Sequence, residues 1–231
     1  MPDLEALVWP RSEHLQRVFQ VRSGNNSGTA FALDIDGRQY LASALHVVEV
    51  STRAASLDIY CGNVWRTFPV NTVGANLESD VAVFALQERI VGPDLNIEIN
   101  SAGCIAGQEV FFLGFPLGIR GHPVGPGFPI PVIKRGVAAL FHPGPPRCLY
   151  ISASANPGFS GGPVYFAHHA TGKTTLTAII IEALAYEVPV TNAKDEKIGT
   201  VLTDSNLVRC SYIDHVLDLI KAKPIGFALG K

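Results

Sequence analysis

The chain has 231 residues, of which 47% are hydrophobic and 16% charged, and its net charge is -2. That is length enough for one large β domain or two small ones, and the composition excludes an intrinsically disordered chain. Acidic and basic residues are interspersed, which excludes the basic footprint of a nucleic-acid binder, and the longest apolar runs, such as A-I-I-I at 178–181, are too short to cross a membrane as helices.

The amino terminus, M-P-D-L-E-A-L-V-W-P, has neither a basic start nor an apolar run, so no secretory signal is expected and the protein is expected to be cytoplasmic. The segments that follow are short and alternate with period two, which predicts strands. T-A-F-A-L-D-I and R-Q-Y-L-A-S-A-L flank Asp36-Gly37, a two-residue hairpin signal. S-L-D-I-Y, W-R-T-F-P-V and D-V-A-V-F-A-L continue the series, and His46 is expected to close the strand L-A-S-A-L-H-V-V. Residues 87–106 interrupt the pattern at Gly92-Pro93, which divides the chain into two β halves, about 15–92 and about 98–210.

The second half holds E-V-F-F-L-G, G-V-A-A-L-F, C-L-Y-I-S, P-V-Y-F and L-T-A-I-I-I-E-A-L. Many short strands separated by turns predict a barrel or a sandwich. Most of 116–131 is Pro-rich and reads as a long surface loop. A helix is expected at about 211–222, where Ile213, Val216, Leu217 and Ile220 share one face. Cys61, Cys104, Cys148 and Cys210 are scattered singly and read as free thiols, although four cysteines in an oxidising compartment would allow three pairings. No Cys/His ligand cluster is present in the sequence, and adjacent His168 and His169 would face opposite sides of a strand.

Residues 155–163, A-N-P-G-F-S-G-G-P, surround Ser160 with three glycines and two prolines. Such a loop is either a Gly/Pro turn that happens to hold a serine or one whose N–H groups are aimed at a single spot, where they stabilise an oxyanion. A serine needs a base, and the base an orienting carboxylate. His46 and Asp80 lie at strand ends of the first half, and a cleft between two barrels would unite them with Ser160. G-F-S-G-G also fits the nucleophile elbow of α/β-hydrolases, but Pro163 and V-Y-F predict a strand where the elbow needs a helix. A-H-H-A-T-G-K-T has Ala167 where a P-loop needs glycine, so T-G-K-T reads as a hairpin turn.

Taken in order, G-T-A-F-A-L, L-A-S-A-L-H-V-V, E-S-D-V-A-V-F-A-L, G-F-P-L-G and N-P-G-F-S-G-G-P resemble the trypsin/chymotrypsin superfamily, and most of all its bacterial HtrA-type branch, over about residues 18–222. The resemblance implies an all-β fold of two six-stranded antiparallel β-barrels with a C-terminal α-helix, in a single peptidase domain over 1–231 with no PDZ-like module. It implies a serine endopeptidase acting through an acyl-enzyme, without metal or cofactor, on a protein or peptide substrate. His46 would be the general base, Asp80 its orienting carboxylate, Ser160 the nucleophile, and Gly158 and Ser160 the oxyanion donors. Ser154, six residues before the nucleophile, would lie at the base of the primary pocket, and its lack of charge predicts apolar P1 residues unless Glu182 supplies one. Leu45 and Phe159 depart from the family pattern. Phe159 removes any ion pair with a cut amino terminus and can anchor the loop only by burial: either its niche is preformed and the enzyme constitutively active or, as is favoured, the oxyanion hole awaits ordering by the 116–131 loop or by a regulatory protein partner. The alternative is a silent pseudoprotease that keeps the double barrel as a protein-binding module.

Overall fold

A computed structural model describes residues 10–92, 97–121 and 128–230. After a single helical turn, α1 (Ser12–Leu15), six strands follow: β1 (Val18–Ser23), β2 (Asn26–Ile35), β3 (Arg38–Ala44), β4 (Ser56–Cys61), β5 (Val64–Asn76) and β6 (Val81–Leu86). They pair antiparallel in the order β3-β2-β1-β4-β5-β6, and β3 pairs again with β6, which closes the sheet into a barrel. Asp36 and Gly37 both take positive φ, 49° and 71°, as the tight turn between β2 and β3 requires.

A short strand β7 (Glu98–Ile99) precedes the second barrel, made of β8 (Glu109–Gly114), β9 (Val132–His142), β10 (Cys148–Ser152), β11 (Pro163–Ala167), β12 (Thr174–Thr191) and β13 (Lys197–Tyr212). Its order is β11-β8-β9-β10-β13-β12, closed by β11 on β12. The helix α3 (Ile213–Ala222) then returns to the first barrel, where Ile213, Val216 and Ile220 join the core of that barrel. Burying such side chains contributes about 1.5–3 kcal/mol each. A last strand, β14 (Phe227–Ala228), pairs with β3. The C-terminal tail thus straps the second barrel to the first.

Three elements differ from the sequence expectations. His46 does not close a strand: β3 ends at Ala44 and a helix, α2 (Leu45–Ala54), begins. Val47 and Val48 favour strands locally, but both are buried and their packing overrides propensity. The strand expected to end near Leu184 runs on to Thr191 and returns from Lys197, forming a long ribbon. His168 and His169 lie where β11 turns toward β12, their rings stacked 5.5 Å apart instead of facing opposite ways. The expected 116–131 loop begins with a single turn at Pro116–Gly118 and pairs Gly121 with Ile130, while 122–127 lie outside the described residues.

Candidate active site

The first barrel supplies His46 and Asp80. Helix α2 starts with unpaired N–H groups, and Asp80 satisfies two of them. Its backbone carbonyl accepts from Leu45 N–H at 2.9 Å, and its Oδ1 accepts from His46 N–H at 3.0 Å. Asp80 holds a left-handed backbone, φ 53°, in the turn before β6, so its carboxylate faces the helix. The other oxygen, Oδ2, lies 2.6 Å from His46 Nδ1. Main chain and ring of His46 are therefore gripped by one carboxylate. Asn26 Nδ2 adds a bond to the His46 carbonyl at 2.8 Å. With Nδ1 engaged, Nε2 is the free nitrogen of an imidazole whose side chain is 49% exposed.

The second barrel supplies the loop around Ser160. The Pro157 carbonyl accepts from Leu117 N–H at 2.8 Å, and because a trans peptide sets C=O and N–H on opposite sides, Gly158 N–H points the other way. The Phe159 carbonyl accepts from Gly162 N–H at 2.8 Å, which turns Ser160 N–H away from Gly162. Among the described residues neither the Gly158 nor the Ser160 N–H meets an acceptor. Gly158 has φ +107°, and a Cβ there would strike the Phe115 carbonyl. No other residue fits at that point. Gly161 is equally constrained, since a Cβ would collide with the Thr29 carbonyl and approach Ser43 Oγ to 2.5 Å.

The two contributions meet along one cleft. His46, Asp80 and Ser160 line a cavity of about 450 Å³ with Ala155, Asn156, Pro157, Phe159, Ile180, Ile181, Glu182, Ala183 and Arg209. Ser154, expected at the base of the primary pocket, does not line it. Its side chain is exposed, and its Oγ and carbonyl accept from Lys134 Nζ at 3.1 and 2.9 Å. Glu182 does line the cleft, but Arg209 Nε donates to its Oε2 at 2.9 Å and cancels its charge. The rest of the wall is largely apolar.

Sequence reasoning missed Thr29. It is fully buried and makes two hydrogen bonds to the Ser160 loop. Its N–H donates to the Ser160 carbonyl at 2.9 Å and its Oγ1 donates to the Gly158 carbonyl at 2.7 Å, while the same Oγ1 accepts from Phe115 N–H at 3.1 Å. A threonine in a strand motif carries no local sign of this. Only the docking of β2 against the other barrel reveals it.

Thiolate chemistry is disfavoured at three cysteines, because burial raises the thiol pKa of Cys61, of Cys104 to about 11, and of Cys210 further. Among the described residues no group of three or more His, Cys, Asp or Glu could hold a metal ion, and no helix is long and apolar enough to cross a membrane.

Two closed barrels with a histidine, an aspartate and a glycine-framed serine along one cleft define the class of serine-peptidase folds. The chain belongs to the trypsin-like peptidase domain family, whose model matches residues 28–171. A search of curated proteins found no match. Among solved structures, the HtrA-type protease AlgW with a tripeptide is similar at 17% identity and TM-score 0.58, over 90% of this chain and 60% of that one. An inactive form of the Rv3671c protease is similar at 18% identity and TM-score 0.59, over 90% of this chain and 89% of that one. A second inactive structure of Rv3671c, a serine mutant from M. tuberculosis H37Rv, is similar at 17% identity and TM-score 0.58, over 90% and 87% of the two chains. These likenesses are likenesses of fold.

Proposed function

We propose that the protein is a serine endopeptidase using His46, Asp80 and Ser160. The observation that carries this reading is the 2.6 Å contact of His46 Nδ1 with Asp80 Oδ2 beside a cleft that Ser160 also lines. The carboxylate keeps the proton on Nδ1, which leaves Nε2 to accept the Ser160 proton as Oγ attacks the substrate carbonyl. The developing oxyanion is received by the free N–H groups of Gly158 and Ser160. The protonated His46 then gives its proton to the departing amine, and water repeats the sequence on the acyl-enzyme. The substrate class is peptide or protein. Apolar P1 residues are favoured, now on the strength of Ala155, Pro157, Ile181 and Ala183 in the wall and not of Ser154.

The expectation that a partner completes a niche for Phe159 finds no support. Phe159 is 1% exposed and its ring packs edge-on against Phe112 at 5.1 Å, beside Gly114, both on β8. The start of the 116–131 loop contributes through its main chain instead, at Leu117. These contacts lie within the single chain and favour an oxyanion hole formed without a partner. The test is labelling by a fluorophosphonate together with turnover of a peptide library. Labelling of the native chain and its loss in Ser160→Ala is expected. A native chain that neither labels nor cleaves would return the fold to a binding role.

A further inference from the structure

Arg66 breaks the pattern of its strand. Side chains two apart share a face, so Arg66, Phe68 and Val70 of β5 point the same way, and Phe68 and Val70 lie in the core of the first barrel. Opposite Arg66 and Phe68 on β4 stand Ile59 and Leu57, both without solvent exposure. The alternation therefore sets a guanidinium on the inward face, at the end of the barrel where β4 turns into β5. There Cys61, Arg66 and Phe68 line a cavity of about 230 Å³ with Arg89 and Ile90, which follow β6, and Phe128 of the Pro-rich loop. It shares no lining residue with the Ser160 cleft. Strand β6 begins beside Asp80 and ends at Leu86, so at about 3.3 Å per residue the two sites are roughly 20 Å apart along it.

The walls of this cavity are held in place by the fold. Gln39 Oε1 accepts from the Ile90 and Val91 N–H groups at 2.9 and 3.3 Å, and Arg89 Nε donates to the Val91 carbonyl at 2.7 Å. Tyr60 Oη donates to the Asn63 carbonyl at 3.0 Å across the β4–β5 turn, and Phe128 packs on Phe19 with ring centres 6.1 Å apart. The charges do not cancel. Glu88 Oε1 accepts from Arg66 Nη2 at 3.2 Å, but Arg89 Nη2 is buried and has no acceptor among the described residues. Burial keeps the Cys61 thiol protonated, so two arginines face one glutamate and the cavity is cationic at neutral pH. An unpartnered guanidinium donor away from water is costly, and an anion that reaches it recovers that cost.

We propose that this end of the first barrel binds one apolar group that ends in a carboxylate, the carboxylate bridging Arg66 and Arg89 and the hydrocarbon resting on Phe68, Ile90 and Phe128. Carboxylate and guanidinium match in plane and spacing, and the apolar wall favours an anion with a hydrocarbon body over a hydrated inorganic one. The volume lies below the roughly 300–1,000 Å³ of sites for larger ligands, which limits the occupant to about one side chain. The C-terminal residue of a polypeptide and a free aryl carboxylate share this chemistry. The proposal does not depend on the peptidase reading, because no residue of the Ser160 cleft takes part.

The test titrates the isotope-labelled full chain, followed by NMR, with hydrocinnamate, with N-acetylphenylalanine as acid and as amide, and with inorganic phosphate. The acids are expected to bind with a Kd of about 0.1–1 mM and to shift the amide signals of Cys61, Arg66, Phe68, Arg89 and Ile90. The amide and phosphate should bind about 10-fold more weakly or worse, and so should both acids to Arg89→Gln. Arg66→Gln, at a side chain 55% exposed, is expected to weaken the acids likewise and guards against misfolding of the first variant. Glu88→Gln removes the competing carboxylate and should tighten acid binding about 3-fold. Binding of N-acetylphenylalanine alone assigns the cavity to polypeptide C-termini, and binding of hydrocinnamate alone assigns it to free acids. Any one of four results would overturn the proposal: no shifts at about 10 mM acid, amide or phosphate binding as tightly as the acids, wild-type Kd in both arginine variants, or shifts confined to Ile180–Ala183 in the cleft.

Discussion

Replacing Thr29 by valine keeps the shape of the side chain and removes one oxygen. That oxygen donates to the Gly158 carbonyl at 2.7 Å and accepts from Phe115 N–H at 3.1 Å, in a residue with no solvent exposure. Two main-chain groups are left unpaired away from water. Each costs about 1–3 kcal/mol, so the variant should lose about 2–6 kcal/mol in total. A domain of ordinary stability, about 5–15 kcal/mol, still folds. Urea denaturation would measure this loss. The Gly158 carbonyl is also one handle that orients the loop, so its release lets the adjacent Gly158 N–H drift from the oxyanion position. Losing one such donor lowers kcat by about 10²–10³-fold. Steady-state kinetics on a short peptide should show this in kcat with little change in KM, and Thr29→Ser, which keeps the hydroxyl, should restore both stability and turnover. A Thr29→Val enzyme that is destabilised yet keeps its kcat would refute the reasoning and leave Thr29 as a tie between barrels.

Three further expectations follow from contacts in the structure. Asp80→Asn, which removes the charge facing His46 Nδ1, should lower kcat by about 10³–10⁴-fold while labelling by a fluorophosphonate slows in parallel. Arg209→Gln leaves Glu182 unpaired in the cleft. Because the Glu182 side chain is 47% exposed and screened, kcat/KM for Lys or Arg at P1 relative to Leu should rise only about 3–10-fold, and an unchanged ratio would make the pair mere scaffold. Burial lowers the pKa of His14 from 6.5, against the opposing charge of Glu13, and its Nδ1 accepts from Arg11 N–H at 3.1 Å, which requires the neutral ring. The unfolded chain therefore takes up a proton that the folded one resists. Stability is full above pH 6.5 and declines as the pH falls toward the lowered folded value. Unfolding midpoints between pH 7 and 5 should drop in the native chain and flatten in His14→Gln.

How much of this was legible in the sequence depended on whether the cause was local. Asp36-Gly37 announced its turn because the conformation belongs to those two residues. The stripe of Ile213, Val216 and Ile220 announced its helix for the same reason. His46, Asp80 and Ser160 were singled out by their motifs, and all three line one cleft. The helix at Leu45–Ala54 was hidden, because its start is satisfied by Asp80, 34 residues away. The ribbon was hidden because a strand pattern carries no sign of length past Pro189, a residue that interrupts strands elsewhere but here pairs with Thr200, while Gly199 sits beside a bulge. The placing of Ser154 was less secure, because counting back from the nucleophile locates a residue along the chain but does not aim its side chain, which here accepts from Lys134 on β9 and does not line the cleft.

The oxyanion loop also shows why the domain needs both barrels. Its peptide planes are set by contacts from separate parts of the chain: Thr29 on β2, Leu117 after β8, and Ile180 on β12, whose carbonyl accepts from Gly161 N–H at 2.7 Å. No one of these fixes the direction of both free N–H groups. Gly161 carries the tightest contact of the set, with no room for a Cβ between it and the Thr29 carbonyl. The two halves must therefore approach to main-chain contact before the loop has a single shape. A cleft assembled in this way couples turnover to docking more closely than to the stability of either barrel. Substitutions along the Thr29–Gly158 seam should thus lower kcat together with the unfolding midpoint, whereas substitutions inside a barrel core lower the midpoint first.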